Sequence, residues 1–267
     1  MFKRALALIL FALALPLSVM AQDSPAPLET AVVEQLRIEY EGISFAFDSA
    51  LADSVAVADY PAVNDDVQIP SPAFTEFTFD GYMAGDYLMV APMPRIDVYA
   101  IEGFGDFPAF IAQLDELTRL LAERPDLNQY VATDFADLTA LALPFLPTLP
   151  AAQVFRVLPQ YIEVDGIRGI RYLVYFSQAP NPIEEGEVFY TFQGITSDGQ
   201  HYVSLMLPVD TNAITLEAPT VDVEDFAAAY QQYLQDVVGA INATGGEGFS
   251  PSLRTLDALA QSVSVSR

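Results

Sequence analysis

The sequence feature that most constrains the fold is a pair of apolar segments joined by one short Asp-Gly turn. Residues 187–195 and 200–209 are rich in aromatic and branched aliphatic side chains, and residues 196–199 between them end in Asp198-Gly199. A tight hairpin turn needs residues that accept positive φ angles, and Asp-Gly supplies them. The pattern predicts an antiparallel hairpin, so the chain must contain an antiparallel sheet.

Short segments with strand patterns occur on the N-terminal side of that hairpin. Segment 95–101 is clear, because Ile96 and Val98 alternate with Arg95 and Asp97. This alternation predicts a strand with one buried face and one solvent-exposed face. The other predicted strands are residues 36–40, 43–47, 74–79, 87–90, 153–158, 161–164 and 169–178.

One helix has clear boundary signals in the middle of the chain. Its apolar residues recur at a helical spacing from Phe110 to Leu121. Pro108 lies near its first turn, where a missing N–H is tolerated, and Pro125 ends it. Asp106 is the predicted N-cap of this helix.

The remaining segments complete the predicted fold class. Two more helices are predicted near the end of the chain, one from about residue 222 and one from residue 250. Residues 143–150 contain three prolines, which prevent regular structure, so we interpret them as an ordered connection or an exposed apolar loop. Together these elements predict an α+β fold, in which helices pack on a mainly antiparallel β-sheet.

The first 21 residues have the features of a secretory signal peptide. Lys3 and Arg4 precede a short apolar run, and Val19 and Ala21 are the small residues of a cleavage site. The run is shorter than the roughly 20 residues that cross a bilayer, which favours a cleaved signal over a retained anchor. We therefore expect a signal peptide at residues 1–21, an acidic proline-containing tether at 22–35 and a single domain at 36–267.

The expected exported protein is strongly acidic and has no cysteine. Without residues 1–21 the chain keeps all 36 acidic residues and nine of its 11 basic residues, a net charge of −27. This charge repels nucleic acid and acidic membranes, whereas cations, cationic polymers and basic protein surfaces remain possible partners. The negative charge is also explained as an aid to the solubility of the protein outside the cell. We expect neither a lipid anchor nor a transmembrane segment after cleavage.

Three short segments resemble the fold shared by Mog1 and the PsbP proteins of photosystem II. They are residues 40–45 (YEGISF), residues 197–203 (SDGQHYV) and the final helix from Leu253 to Val263. Residues 189–194 (FYTFQG) resemble an uncharacterised family of exported bacterial proteins. The Mog1/PsbP-like group has Tyr-Pro and a tryptophan after the first strand, whereas here Asp48-Ser49 follow Phe47 and the chain has no tryptophan. The resemblance implies a Mog1/PsbP-like fold and a non-catalytic assembly or binding role, and it implies no site residues.

The residue inventory restricts the catalytic chemistry that is possible. With no cysteine and only one histidine, His201, the chain lacks thiol nucleophiles, thiolate metal sites and two-histidine metal sites. A Ser-His-acid triad would have to use His201, but no Gly-x-Ser-x-Gly motif occurs. A half-exposed strand histidine is the simpler interpretation. Glycine-rich phosphate loops are also absent from the sequence.

Acidic pairs are the remaining catalytic possibility, because glycoside hydrolases use two carboxylates about 5–10 Å apart. Glu184, Glu185 and Glu187 form one cluster, and Asp65-Asp66 form another. A chain with so many acidic residues has some of them close together by chance. We therefore interpret both clusters by default as charged side chains exposed to solvent. Calcium suits acidic loops outside the cell, but no twelve-residue calcium loop is present. We predict no cofactor, with calcium as the one candidate.

Aromatic residues on the predicted strands are the candidate ligand-facing side chains. Tyr172 and Tyr175 lie in one strand, and Tyr190 and Tyr202 lie in the two strands of the hairpin. Such rows can line a groove for a sugar or an apolar ligand. More often such residues form the core through cross-strand pairs, and the alternation of Tyr190 with polar neighbours favours this interpretation.

These observations lead to one preferred hypothesis and two alternatives. We expect a non-enzymatic exported domain that binds a protein or a small ligand at the cell envelope. One alternative is a carboxylate-based hydrolase of envelope glycans, which requires a buried pair of acids facing a cleft. The other is a structural envelope subunit, which requires an exposed apolar patch such as residues 143–150.

Overall fold

A large antiparallel sheet organises the part of the chain that can be described. The computed structural model describes residues 34–65, 68–82, 94–131, 142–164, 166–184, 186–214, 216–220, 222 and 224–266. The predicted signal peptide, most of the predicted tether and the predicted strand at residues 87–90 lie outside these residues.

The strands of the described residues form one large sheet and two small ones. In chain order the strands are β1 (Gln35–Tyr40), β2 (Ile43–Asp48), β3 (Ser54–Tyr60), β4 (Phe74–Asp80), β5 (Arg95–Ala100), β6 (Ala152–Val164), β7 (Ile167–Ser177), β8 (Val188–Thr196), β9 (His201–Pro208), β10 (Asp210–Thr211), β11 (Phe249–Ser250) and β12 (Ser264–Val265). Seven of them pair in the order β3-β4-β5-β9-β8-β7-β6, and every pair is antiparallel. A smaller sheet has the order β1-β2-β12, and β10 pairs with β11.

The Asp-Gly hairpin forms as the sequence predicts. Strands β8 and β9 pair from Phe189–Pro208 to Ile195–Tyr202. At the turn Gly199 has a φ of 70°, and its N–H donates to the Thr196 carbonyl oxygen at 2.8 Å. Because β8 and β9 lie inside the sheet, every residue of β8 is buried.

The long strand β6 corrects one prediction. Residues 153–158 and 161–164 were predicted as separate strands, but they belong to one strand with a register shift between Val157 and Gln160. Leu158 has a positive φ of 51°, and Pro159 follows it. Such a bulge bends a strand without ending it, which explains why the sequence looked interrupted.

The first helix, α1, spans Pro108–Glu123, close to its predicted bounds. The prediction that Asp106 caps it is wrong. Asp106 ends a 3₁₀ helix (Ile101–Asp106), and Phe107 is the N-cap, with no side-chain hydrogen bond to the helix. Arg124 ends α1 in a left-handed conformation immediately before Pro125.

Two helices near the end of the chain also form. Helix α2 spans Phe226–Ala243 and begins a few residues later than predicted. Helix α3 spans Leu253–Ser262, and Ser252 caps it by accepting a hydrogen bond from the Thr255 N–H. Their buried residues lie one helical turn apart, as amphipathic helices require.

The seven-stranded sheet has a separate hydrophobic cluster on each face. One face packs against β2, α2 and α3, whose contributions include Phe45, Leu234 and Leu256. The other face packs against α1 and the proline-rich segment, represented by Leu117 and Phe145. The sheet is therefore covered on both faces over much of its area.

The packing of α1 and the proline-rich segment on this second face shows that the predicted solvent-exposed face of β5 is wrong. Asp97 and Tyr99 were expected to share a solvent-exposed face with Arg95, yet neither has any exposed surface. The ring of Phe110 from α1 packs edge-on against Tyr99 with 5.5 Å between the centroids. The strand alternates as predicted, but helix α1 buries the polar face as well.

The proline-rich segment 143–150 is an ordered connection. Leu143, Phe145 and Leu146 are buried, so the alternative of an exposed apolar loop is wrong. The Leu146 N–H donates to the Gln193 side-chain oxygen at 2.9 Å, and the Phe145 N–H donates to that of Gln113 at 2.9 Å. These side chains replace the backbone partners that a regular element would supply.

The prediction of an α+β fold with a mainly antiparallel sheet and packed helices is confirmed. Among the residues that can be described, no helix is both long enough and apolar enough to cross a membrane.

Candidate functional site

All four predicted ligand-facing tyrosines are buried, and Tyr175 is the one with any exposed surface, at 2%. Tyr172, Tyr190 and Tyr202 have no exposed surface. Their hydroxyl groups donate within the protein, from Tyr172 to the Pro144 carbonyl oxygen at 2.7 Å and from Tyr202 to the Gln193 side-chain oxygen at 2.8 Å. A buried tyrosine with a satisfied hydroxyl is an ordinary core residue.

The four tyrosines also point to different sides of the sheet. Tyr172 and Tyr202 belong to the cluster under α1, whereas Tyr175 and Tyr190 belong to the cluster under α2 and α3. Side chains alternate between faces along a strand, so Tyr172 and Tyr175 lie on opposite faces of the sheet. The four residues do not form a common site.

Tyr175 lies at the wall of a cleft, which we call the aromatic cleft. The cleft has a volume of about 390 Å³ and lies where β7 ends and the connection to β8 begins. It is lined by Leu149, Pro150, Ala151, Tyr175, Phe176, Ser177, Gln178, Asn181, Glu187 and Phe189. Its volume falls in the range of about 300–1,000 Å³ that is usual for small-molecule sites.

Stacked aromatic rings form one wall of the aromatic cleft. The rings of Phe176 and Phe189 lie parallel within 6°, with centroids 5.7 Å apart. Phe145 packs behind Phe176 at 4.7 Å between centroids. Phe176 is half-buried, so part of its ring faces the cleft, and the packing behind it fixes its orientation. An apolar part of a ligand can contact the exposed part of this ring without rearrangement.

The polar groups of the aromatic cleft are held by local hydrogen bonds. The Gln178 side-chain amide donates to the Pro150 carbonyl oxygen at 2.6 Å. This bond joins the two chain segments that form the rim. The Tyr230 hydroxyl of α2 donates to the Asn181 carbonyl oxygen at 2.8 Å. The rim is therefore tied both to the proline-rich segment and to α2.

Glu187 is the one acidic side chain among the described residues that line the aromatic cleft. Its Oε2 accepts a hydrogen bond from the Glu184 N–H at 2.9 Å. Burial raises the pKa of the Glu187 carboxyl above its usual value, although the bond from Glu184 partly offsets this. Burial also raises the pKa of the Tyr175 hydroxyl to about 12. The cleft is thus lined by a carboxylate acceptor as well as by aromatic side chains.

His201 lies at the start of β9 in a second cavity, the sheet-end groove. This groove has a volume of about 660 Å³ and is open to solvent. Asp59 and Thr75 also line it, and the Thr75 hydroxyl donates to Asp59 at 2.7 Å. The His201 Nδ1 atom makes no hydrogen bond to the described residues, so nothing described pairs it with a serine and an acid as a triad requires.

A buried acid occurs in the middle of the large sheet, where the sequence predicted a wet face. Asp97 lies 3.2 Å from the guanidinium of Arg95, which is 2.9 Å from Glu76 on the neighbouring strand. Burial raises the pKa of Asp97 to about 7, and the charge of Arg95 opposes this shift. Because Asp97 has no exposed surface, it cannot meet a polysaccharide as one acid of a hydrolase pair.

A second buried polar network combines β7, β8 and α3. Arg171 lies 3.2 Å from Asp257, and the Tyr190 hydroxyl donates to the same Asp257 oxygen at 3.0 Å. Arg171 also donates to the Leu158 carbonyl oxygen and to Gln160. Both terminal nitrogens of its guanidinium therefore donate within the protein, whereas its Nε atom makes no hydrogen bond to the described residues. Arg171 and Asp257 also border a cavity of about 480 Å³.

The acidic clusters of the sequence give no metal site that can be described. Asp66 and Glu185 lie outside the described residues. In the remainder, no three histidine or acidic side chains converge as metal ligands would. Asp65 accepts hydrogen bonds from the backbone and side chain of Gln68, an arrangement that is typical of a turn.

Sequence reasoning missed most of the aromatic cleft. Its floor includes Leu149 and Pro150, which the sequence places far from β7, and its rim residue Gln178 had no distinguishing pattern. The stacked pair Phe176 and Phe189 was visible as part of the aromatic rows, and Glu187 as part of an acidic cluster.

Comparisons with known proteins give no relative from which a role could be transferred. No protein-family model matches the chain, and no curated protein is significantly similar to it in sequence.

Proposed function

We propose that this chain is an exported, non-enzymatic domain that binds a small ligand in the aromatic cleft. The observation that carries the proposal is the preformed wall of Phe176 stacked on Phe189, with the carboxylate of Glu187 in the same cleft. The signal-like residues 1–21 support export, and the resemblance to the Mog1/PsbP-like group supports a binding role. Export would place this site at the cell envelope.

The chemistry of the cleft favours a ligand with one apolar face and hydrogen-bond donors at its edge. A sugar ring presents a C–H face that stacks on an aromatic ring, and its hydroxyl groups donate to a carboxylate. A small amphipathic or aromatic compound has the same complementarity. An anionic ligand is disfavoured because Glu187 and the net charge of the chain repel it.

Binding is favoured over glycan hydrolysis by the number of acids in the cleft. Hydrolysis by the usual mechanism needs two carboxylates on either side of the scissile bond. Glu187 is the one acid among the described lining residues, and Asp97 is enclosed in the sheet. The structural-subunit alternative depended on an exposed patch at residues 143–150, and Leu143, Phe145 and Leu146 of that segment are buried.

The test is a thermal melt of the protein with a panel of glycans and small aromatic or amphipathic compounds. A ligand that binds only the folded state stabilises it by about 2.7 kcal/mol at a hundredfold excess over its Kd. We expect a rise in Tm with one class of compound. That rise should be lost in Phe176→Ala and reduced in Glu187→Gln, which keeps an oxygen to accept the Glu184 bond.

Tyr60→Ala is the matched control. Tyr60 is exposed and its ring stacks on Phe74 at 4.9 Å, so the substitution removes an equivalent ring outside the cleft. The control should respond to the ligand as the unmodified protein does. Equal responses in the control and in both cleft variants would refute the site. Cleavage of a bound glycan that is lost in Glu187→Gln would favour the hydrolase instead.

A further inference from the structure

Strand β3 forms an open edge of the large sheet. It pairs with β4 over seven consecutive residues, from Ser54–Asp80 to Tyr60–Phe74, with no register shift. Among the described residues, no strand pairs with its other side. The outward N–H and C=O groups of an unpaired edge strand are a template for another strand.

This edge lacks the lysine, proline and bulge that commonly prevent strand pairing. The sequence of β3 (SVAVADY) has no proline, lysine or arginine, and all its residues except Val55 are exposed. Val57 in its centre is 37% exposed. The opposite edge of the sheet, β6, has a bulge at Leu158 and a proline at position 159, both of which block pairing.

Acidic side chains surround the β3 edge. Asp53 and Asp80 are exposed at one end of the β3–β4 ladder, and Asp59 is exposed at the other. Arg95, which lies two strands away on β5, is already paired with Glu76 and Asp97. A strand that pairs here is therefore favoured when it carries positive charge.

The aromatic ring of Tyr60 adds a contact for a cationic side chain at the end of the edge. It is 42% exposed and lines the sheet-end groove together with Asp59 and Glu41. A lysine or arginine that emerges from a paired strand can lie over this ring and between the two carboxylates. The groove thus continues the edge and shares its charge preference.

We propose that β3 binds an extended, cationic segment of another protein by strand addition. Main-chain hydrogen bonds to the free edge would supply affinity, and the surrounding acids would select lysine or arginine side chains. A second copy of this chain is a poor occupant, because each copy has a formal net charge of −25 and the two would repel each other. The acidic residues around the two β3 edges would also lie against one another. This surface is separate from the aromatic cleft.

The test uses an acetylated and amidated seven-residue peptide of alternating valine and lysine, matched to the length of β3. Two further peptides carry the same side chains but are N-methylated at either the odd or the even residues. Only one of these two sets of amides can face β3. We expect one methylated peptide to bind at least about tenfold more weakly, because it loses the ladder bonds. A glutamate analogue should not bind.

Two readouts connect binding to the edge itself. Hydrogen exchange at residues 54–60 should slow on addition of the lysine peptide. Val57→Lys should abolish peptide binding, because a central lysine blocks an edge and repels the peptide. Leu216→Lys is the matched control, since it introduces the same charge at an apolar residue that is 42% exposed outside β3.

Each contrary outcome overturns the proposal. Equal binding of all three lysine peptides would mean attraction by charge alone, without strand addition. No binding, or unchanged exchange at residues 54–60, would exclude the edge as a docking surface. A dimer of the free protein in sedimentation, converted to a monomer by Val57→Lys, would identify a second copy as the occupant.

Discussion

The carboxylate of Asp97 lies 3.2 Å from the guanidinium Nη2 of Arg95, in the middle of the seven-stranded sheet and without contact with solvent. The Tyr99 hydroxyl donates to the same carboxylate oxygen at 3.3 Å. The other oxygen, Oδ1, has no hydrogen-bond partner among the described residues. A buried carboxylate with so few partners is costly to ionise.

This arrangement predicts that the protein is more stable in mild acid than in mild alkali. Burial raises the pKa of Asp97 to about 7 in the folded state, compared with 3.8 for the free side chain. The folded state therefore binds a proton that the unfolded chain releases, so the contribution of Asp97 to stability falls as pH rises from about 4 to 7. Each pH unit between the two pKa values lowers the contribution of Asp97 to the free energy of unfolding by about 1.4 kcal/mol.

The measurement is the free energy of unfolding in urea at pH 5 and pH 8. In the unmodified protein the free energy of unfolding should be higher at pH 5 than at pH 8. In Asp97→Asn this difference in unfolding free energy should be smaller. Asp115→Asn, at an exposed position on α1, is the control and should leave the difference unchanged. An unchanged pH dependence in Asp97→Asn would show that Asp97 is ionised in the folded state throughout this range.

Gln193 is predicted to hold the proline-rich segment on the sheet. Its Oε1 accepts from the Leu146 N–H at 2.9 Å and from the Tyr202 hydroxyl at 2.8 Å, while its Nε2 donates to Ser204 at 2.8 Å. Gln193→Leu leaves the Leu146 N–H and the Tyr202 hydroxyl without their partner, each at a cost of about 1–3 kcal/mol. We expect a loss of at least about 2 kcal/mol in unfolding free energy.

The control for this prediction is Gln232→Leu on the exposed side of α2, which should change stability by no more than about 0.5 kcal/mol. Tyr202→Phe removes one of the bonds to Gln193 and should cost about 1 kcal/mol. If Gln193→Leu is as stable as the control, the segment is held by its buried apolar residues alone.

The strands of this fold could be predicted because each depends on a local pattern. The hairpin of β8 and β9 needs only Asp198-Gly199 and two apolar segments, and both are adjacent in the sequence. The burial of Asp97 could not be predicted in the same way. It results from α1 and residues 143–149, which cover a face that the alternation of β5 alone marks as polar.

The candidate site could be predicted only in part for the same reason. The spacing of Tyr172 and Tyr175 shows that they point to opposite faces of a strand. Which of them borders an opening depends on Leu149 and Pro150, which approach β7 from another part of the chain. No local sequence pattern indicates this long-range contact. The aromatic rows could therefore be identified from the sequence, but the cleft could not.

A close cross-strand approach at Gly169 gives a third prediction. Gly169 of β7 is opposite Gly194 of β8, and a methyl group at Gly169 would overlap the Gln193 carbonyl oxygen and the Gly194 backbone. Gly169→Ala should therefore destabilise the protein by about 1–3 kcal/mol, because backbone atoms must move apart. Gly105→Ala is the control, since nothing lies within 4 Å of its added methyl group. Equal melting temperatures for the two variants would mean that β7 and β8 can separate at little cost.

The ion pair between Arg171 and Asp257 gives the last prediction, because its two charges should depend on each other. Their side chains are only 10% and 22% exposed, and they lie 3.2 Å apart. Burial raises the pKa of Asp257, whereas Arg171 and the hydrogen bond from Tyr190 lower it. Without Arg171 the carboxylate loses its nearest positive charge, so Arg171→Met should cost about 3–5 kcal/mol at pH 8.

Lower pH should recover part of that loss, because protonation removes the unpaired charge of Asp257. The double variant Arg171→Met with Asp257→Leu should be more stable than Arg171→Met alone, since no charge remains to be buried. Urea unfolding of both single variants and the double variant at pH 5 and pH 8 measures the coupling. Additive losses would mean that water screens the two charges from each other, and that α3 is held to the sheet by Leu253, Leu256 and Leu259 rather than by this pair.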